Sequence, residues 1–279
     1  MQFHSMSTIS LLTAVVFLLL VLLCCTRSLW TAATAMLSLL VKSRKLLLVV
    51  AMMVAVLLLN SLELTWEQNY SYSADFTPWV FQLEGHFVSF FQQLFHAPGV
   101  TLVVSFFYLV VFQALILASL FIYAGDGRQL FVYATCCTVM LNYLVALPFY
   151  ALFPVNEVWS YPPSGAAFYM LEAFPEFNTL YRPLSGINNC FPSLHTSVSV
   201  SMAMLAIRSG NRKWAIAATA SAAIIVFSIF YLGIHWLTDM IGGLLLATLA
   251  SGLGLKWARR LDRSVNPSLP SSDWSKKRA

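Results

Sequence analysis

Three ionisable side chains stand out in the apolar C-terminal half of the chain: His195, His235 and Asp239. His235 and Asp239 are four residues apart, which puts them on the same side of a helix. A carboxylate beside an imidazole fixes its tautomer and stabilises its cation, so this pair suits a histidine that attacks an electrophile or moves a proton. His195 supplies a second acid–base group. Taken alone, the pair also fits a helix end that meets lipid headgroups.

The residues before His195 predict the entry into a helix. Pro192 and Ser193 are typical of a helix start, and Thr196 and Ser197 follow in its first turn. The free backbone N–H groups of such a turn form a ready anion site.

Other polar residues of this region are candidates for substrate binding. Arg182 lies ten residues before Pro192, and its guanidinium suits a bidentate contact with phosphate. The alternative for Arg182 is an ordinary contact with headgroups. Asn188 and Asn189 are secondary candidates for substrate contact, or simply residues of loop turns.

The elements that must position these groups are membrane helices. Hydrophobic residues make up 59% of the 279-residue chain and charged residues only 10%, with a mean hydropathy of +0.76, which excludes a soluble domain. The sequence shows no basic stripe with interleaved aromatics, the pattern that would indicate a nucleic-acid partner, so no such partner is expected. A helix of about 20 apolar residues crosses the bilayer. Seven such runs are predicted: 8–25, 45–62, 100–124, 130–153, 193–208, 213–234 and 236–257.

Charge sets the predicted orientation. In this seven-span arrangement every Lys and Arg except Arg182 falls on one side of the membrane, which the rule for basic loops makes cytoplasmic. The expectation is a multi-pass protein of the cell membrane with an external N-terminus, a cytoplasmic C-terminus and an active site facing the periplasm, exterior or lumen. Residues 1–44 are an anchor helix with an apolar segment at 28–41, which is interfacial or extends the first span. Residues 45–263 are the core, and 264–279 a disordered basic tail.

The two long outer loops, 63–99 and 154–192, carry further signals. The aromatic-rich run 79–87, with Glu84 and His86, is expected to lie along the membrane interface, or alternatively to shape the lipid entrance. Asn69 heads an acceptor pattern for glycosylation. All five cysteines are expected to be small buried residues, and Cys190 a free thiol.

Two segments resemble the type 2 phosphatidic acid phosphatase superfamily (lipid phosphatase/vanadium haloperoxidase-like). They are Phe191-Pro192-Ser193-Leu194-His195 and, 33 residues beyond His195, the run from Ser228 to Asp239. The family pattern is Pro-Ser-Gly-His, then Ser-Arg-x5-His-x3-Asp. Leu194 replaces the Gly, Ile229 replaces the Arg, and Arg182-Pro183 lacks the upstream lysine of Lys-x6-Arg-Pro. These departures resemble the branch that contains inositol phosphorylceramide synthase.

The resemblance implies an all-α membrane protein of about seven helices with a six-helix core, and an enzyme acting on lipids. It implies that His235 attacks phosphorus, that Asp239 orients it, and that His195 protonates the leaving group. It also implies that the amides of Ser193 and Leu194, together with Arg182, hold the phosphate oxygens. Neither a metal nor a cofactor is expected.

Three functions follow in decreasing order. The first is a phosphatase that hydrolyses a lipid phosphate or isoprenoid diphosphate through a phosphohistidine. The second is a transferase that passes phosphoinositol or a similar headgroup to a lipid hydroxyl. A transporter or structural protein comes last. Ionisable groups of a transporter should lie deep within the spans, whereas those of this chain cluster at one membrane face. The partners expected are a phospholipid substrate and the bilayer, while the oligomeric state stays open.

Overall fold

A computed structural model of the chain describes residues 3, 5–67 and 74–263. The acceptor pattern at Asn69 and the predicted tail 264–279 lie outside the described residues. Within the described part the fold is helical, as predicted, with an isolated parallel bridge between Val155 and Asn189. The helices are α1 (Met6–Cys24), α2 (Leu29–Lys42), α3 (Arg44–Glu67), α4 (Thr77–Glu84), α5 (Phe87–Phe95), α6 (Pro98–Phe106), α7 (Phe112–Gly125), α8 (Gln129–Leu152), α9 (Met170–Ala173), α10 (Phe177–Leu180), α11 (Leu194–Ser209), α12 (Arg212–Tyr231) and α13 (Leu237–Arg263).

Among the described residues, six helical stretches are long and apolar enough to cross a membrane. They are Met6–Cys24, Arg44–Thr65, Pro98–Gly125, Gln129–Leu152, Arg212–Tyr231 and Leu237–Asp262. The remaining predicted span, 193–208, forms α11, a helix of 16 residues, about 24 Å long at 1.5 Å per residue. The chain is therefore a polytopic helical membrane protein, and α11 is its shortest predicted crossing.

The apolar segment at 28–41 is a separate helix. α1 ends at Cys24, and α2 begins at Leu29 after Ser28 caps its N-terminus by accepting from the Thr31 amide. α2 packs closely on the end of α7, because a Cβ added to Gly125 would lie only 2.9 Å from the Cβ of Ala32. α2 is thus not a continuation of the first span.

α8, α11, α12 and α13 pack together into the bundle that carries the C-terminal half. α13 approaches α8 closely at Gly254, where a Cβ would lie 3.0 Å from the backbone nitrogen of Thr138. Only glycine allows this approach, since any other residue would place its side chain against the α8 backbone. Serine and threonine side chains are buried along these helices and bond mainly to carbonyls of their own or the neighbouring helix.

One end of the bundle is tied together by Asp126. Its side chain is almost completely buried and accepts from the Thr26 amide at 2.8 Å and the Asn211 Nδ2 at 2.7 Å. These contacts join the end of α1, the α7–α8 turn and the α11–α12 turn. Arg128 and Arg212 belong to the same turns, so the basic residues gather at this end.

The opposite end is covered by the two long loops with α4, α5, α9 and α10. Gln92 of α5 fastens this cover, because its amide nitrogen donates to the carbonyls of Ala167, at 2.7 Å, and Tyr231, at 3.0 Å. The Ala167 amide donates back to Gln92 at 2.9 Å. The cover is therefore attached directly to the end of α12, next to the predicted site.

Candidate active site

His235 and Asp239 lie at the turn between α12 and α13. Asp239 Oδ2 accepts from His235 Nδ1 at 3.3 Å and from the Trp236 amide at 2.8 Å. The side chains of His235 and Asp239 are 6% and 0% exposed, so water does not compete for this contact. The carboxylate favours the tautomer with hydrogen on Nδ1, which leaves the Nε2 lone pair free to attack.

Glycine makes this turn possible. Gly233 has φ +75°, and a Cβ there would collide with the carbonyl oxygen of Ala167. The Trp159 amide donates to the Gly233 carbonyl at 3.0 Å, and the Val158 amide donates to Ile234 at 3.3 Å. The second outer loop therefore holds the backbone just before His235.

His195 faces His235 from the first turn of α11. The centroids of the two imidazole rings are 6.2 Å apart. The His195 ring is stacked on Tyr108, with 3.8 Å between centroids and 15° between planes, and it also contacts Phe112 at 4.3 Å. His195 Nε2 is buried and has no hydrogen-bond partner among the described residues. It is available to a substrate between the two histidines.

A π-helical segment places Tyr108 against His195. Residues Phe107–Val111 form this segment between α6 and α7. Such an insertion shifts the side chains that follow it around the helix and is common at functional sites. Sequence reasoning missed Tyr108 as a site residue, because the run 100–124 is apolar throughout and shows no sign of the insertion.

The predicted helix entry is present, and one of its amides is occupied. Ser193 caps α11, and its side chain accepts from the Thr196 amide. Its own amide donates to the Asp239 carbonyl at 3.1 Å, which ties the starts of α11 and α13 together. Leu194 lines the adjacent cavity. The amides of Leu194 and His195 are thus the first-turn donors beside the site, while the Ser193 amide serves the framework.

A cavity of about 290 Å³ opens beside the two histidines. Besides the two imidazoles, its polar lining consists of amides, hydroxyls and one carboxylate. None of the described lining residues is Lys or Arg. The polar lining residues are Asn60, Tyr108, Gln113, Tyr143, Tyr150, Glu157, Tyr181, Ser185, Asn189, His195 and His235.

Arg182, the predicted phosphate clamp, pairs with Glu157. The guanidinium bonds both carboxylate oxygens, at 2.6 and 2.8 Å, and donates to the Gly186 carbonyl at 2.8 Å. It also lies 4.9 Å from the centroid of the Phe177 ring. The cavity lining includes Glu157 and not Arg182. The cation is therefore engaged in the wall behind the cavity.

Asn188 and Asn189 occupy different places. The Asn188 carbonyl accepts from the Val155 amide at 3.0 Å, so its backbone belongs to the loop framework. Asn189 lines the cavity, and its Nδ2 donates to Glu63 at 3.4 Å. The buried Oδ1 of Asn189 has no hydrogen-bond partner within the described ranges. Of the two residues, Asn189 is the one that lines the cavity.

A family model described as the PAP2 superfamily matches residues 79–253 of this chain. The match runs from α4 into α13 and contains both histidine motifs with α11 and α12, the helices between them. It covers more than half of the sequence. The chain belongs to the PAP2 superfamily. No curated protein and no solved structure gave a significant match.

Membership of the PAP2 superfamily makes this chain an enzyme of the phosphatase or phosphotransferase kind and explains its helical membrane fold. The first two residues of the second motif have structural roles here. Ile229, in place of the motif arginine, is fully buried. The hydroxyl of Ser228 donates to the Ile225 carbonyl within α12. Neither side chain supplies charge to the site.

One group within the described chain combines side chains of metal-ligating types. Ligand atoms of Cys190, His235 and Asp239 all lie within 4.8 Å of one another. Burial raises the pKa of the Cys190 thiol well above its ordinary value, which opposes the thiolate that a metal requires. All five cysteines are buried free thiols, as predicted.

Sequence reasoning also missed a contact between the first outer loop and the site. The carboxylate of Glu84 accepts from the amides of Leu237 and Thr238 at the start of α13. The sequence places Glu84 in an aromatic-rich interfacial run and contains no signal for a partner 153 residues away. Such a contact is visible only in the folded chain.

Proposed function

We propose that this chain is an integral membrane lipid phosphatase, which hydrolyses a lipid phosphate or isoprenoid diphosphate through a phosphohistidine. The observation that carries the proposal is the placement of the buried His235 and the half-buried His195 beside one cavity. His235 is oriented by Asp239, and the centroid of His195 lies 6.2 Å away. A phosphoryl group placed between the rings meets a nucleophile on one side and a proton donor on the other.

In the first step His235 Nε2 attacks phosphorus. The P–N bond forms, the P–O bond to the leaving group (a lipid alkoxide, or a lipid phosphate when the substrate is a diphosphate) breaks, and the leaving oxygen takes a proton from His195. In the second step His195 removes a proton from water, the water oxygen forms a P–O bond, and the P–N bond breaks, which releases phosphate and frees His235. Asp239 stabilises the positive charge on His235 in both steps. The buried, unpartnered Nε2 of His195 supports this proton-transfer role.

The non-bridging oxygens are held by backbone amides at the start of α11. The amides of Leu194 and His195 lie in the first turn, where helix N–H groups lack intrahelical partners and the helix dipole favours an anion. Ser193 contributes as the cap that shapes this turn. Arg182 acts through Glu157, which it holds at the cavity wall.

A headgroup transferase is the second candidate, and the cavity lining favours it. Tyrosine hydroxyls, amides and a carboxylate suit a hydroxyl-rich headgroup such as a phosphorylated polyol. A free phosphate or diphosphate would instead favour Lys or Arg, and none lines the cavity among the described residues. In this reaction His195 activates a lipid hydroxyl instead of water, and the remaining steps are the same.

The test is a substrate panel with purified protein in lipid nanodiscs. The panel contains lipid phosphates, isoprenoid diphosphates and phosphoinositol lipids, each with and without diacylglycerol or ceramide, and both free phosphate and new lipids are measured. His235→Ala should abolish turnover. His96→Ala is the matched control, because His96 is a loop histidine paired with Glu172 outside the site.

The products separate the two candidates. Free phosphate that disappears in His235→Ala establishes the phosphatase. A new headgroup lipid that requires the acceptor establishes the transferase. If no lipid of the panel reacts, or if His235→Ala retains turnover, the proposed chemistry is wrong.

A further inference from the structure

We propose that Glu84 is a positioning residue for the His235–Asp239 pair, which it serves by clamping the first turn of α13 from the first outer loop. The role rests on the proposed function, because it concerns the same nucleophile. Glu84 ends α4, more than 150 residues before the catalytic helix in the chain. It adds an acidic group to a site whose sequence motifs contain only Asp239.

Each oxygen of the Glu84 carboxylate is used. Oε2 accepts from the Leu237 amide at 2.6 Å, and Oε1 accepts from both the amide and the hydroxyl of Thr238. A side chain from a distant part of the chain thus accepts hydrogen bonds from the first N–H groups of α13, as a local capping residue does in most helices. Gly85, with φ +58°, follows at once and turns the chain away, so α4 ends at this contact.

The clamped turn is the one that contains Asp239. Asp239 accepts from the Trp236 amide, and Glu84 accepts from the next two amides, so carboxylates satisfy three consecutive N–H groups at this helix start. These bonds fix the direction of the first turn and with it the Asp239 carboxylate that orients His235. Without Glu84, two partly buried amides lose their acceptors, and the turn is free to fray.

Charge supports the same reading. The N-terminus of α13 carries the positive end of the helix dipole, which favours both carboxylates. Burial raises the pKa of Glu84, and the hydrogen bonds from Thr238 and Leu237 oppose that rise. The described residues that line the cavity do not include Glu84. Glu84 therefore acts through the helix start and not on substrate.

The first experiment compares Glu84→Gln with Glu176→Gln, a matched control in an exposed part of the second outer loop. A carboxamide keeps the size of Glu84, but in either orientation its NH2 group faces the Leu237 or the Thr238 N–H, donor against donor. We expect kcat to fall about 10- to 100-fold in Glu84→Gln, the cost of a small misplacement of catalytic groups. KM should stay within about twofold, since substrate contacts remain. Glu176→Gln should match wild type in both.

The second experiment is a double-mutant cycle with Thr238→Val, which removes only the hydroxyl donor. If the hydroxyl acts through Glu84, the double variant Glu84→Gln/Thr238→Val should be little slower than Glu84→Gln alone. Thr238→Val is isosteric and so tests the contact even if Glu84→Gln folds poorly. Losses in kcat that multiply independently would overturn the clamp.

The third measurement needs no turnover. Hydrogen exchange of the amides at 236–240, followed by mass spectrometry in nanodiscs, should accelerate in Glu84→Gln and stay unchanged in Glu176→Gln. Unchanged exchange overturns the clamp even if no substrate is found, whereas an inactive wild-type protein refutes only the proposed function. Faster exchange in an active variant with wild-type kcat shows a purely structural bond and overturns the positioning role.

Discussion

Glu157 and Arg182 form a bidentate ion pair whose side chains are only 6% and 15% exposed. Breaking such a pair leaves one charge buried without its partner, which costs ~3–5 kcal/mol. We expect Arg182→Gln and Glu157→Gln each to lower the free energy of unfolding by about this amount. The double variant should lose less than either single variant. Denaturant unfolding of the purified protein measures all three.

The same variants decide between two roles for the arginine. The sequence alone favours a direct phosphate contact by Arg182, whereas the structure pairs it with Glu157 behind the cavity wall. An Arg182→Gln protein with wild-type stability and greatly reduced turnover would restore the direct contact. Reduced stability of Arg182→Gln that is partly restored by adding Glu157→Gln would support the structural role, in which Arg182 pairs with Glu157 behind the cavity wall.

At the scale of the elements, the π-helical segment 107–111 brings an aromatic ring onto His195. We expect Tyr108→Phe to keep near wild-type turnover, because the stacked ring stays. Tyr108→Leu should lower kcat about 2- to 12-fold, the equivalent of the ~0.5–1.5 kcal/mol that an aromatic pair contributes. Steady-state kinetics of the two variants on one substrate measures the difference. An equal loss of kcat in both variants would show that the hydroxyl of Tyr108 matters and not its ring. An unchanged kcat in Tyr108→Leu would show that the stacked ring does not contribute to turnover.

The elements also show what a sequence can predict here. The α12 and α13 crossings, the helix start near Pro192 and the proximity of His235 to Asp239 follow from apolar run length, the residue preferences of helix starts and helical spacing, which are local properties. The contacts of Glu84 and Tyr108 join residues far apart in sequence. Hydrophobic periodicity has no information about such pairings, because it records only which face of a helix is apolar.

At the scale of the whole molecule, the two histidines of the candidate site and the basic residues lie at opposite ends of the bundle. His195 and His235 lie under the loop cover, whereas Arg212 begins α12 at the other end. Basic ends of membrane proteins stay in the cytoplasm. We therefore expect the site to face away from it, where a lipid of the outer leaflet reaches the cavity without a flip across the bilayer.

Single cysteines test this orientation. Glu176→Cys lies in the exposed outer loop, Arg212→Cys is exposed at the basic end, and the native cysteines are buried. A membrane-impermeant maleimide added to intact cells should label Glu176→Cys and spare Arg212→Cys until the membrane is permeabilised. The reverse pattern would place the histidines on the cytoplasmic side. The substrate would then be a lipid of the inner leaflet, because the loop cover and the cavity beneath it turn with the bundle.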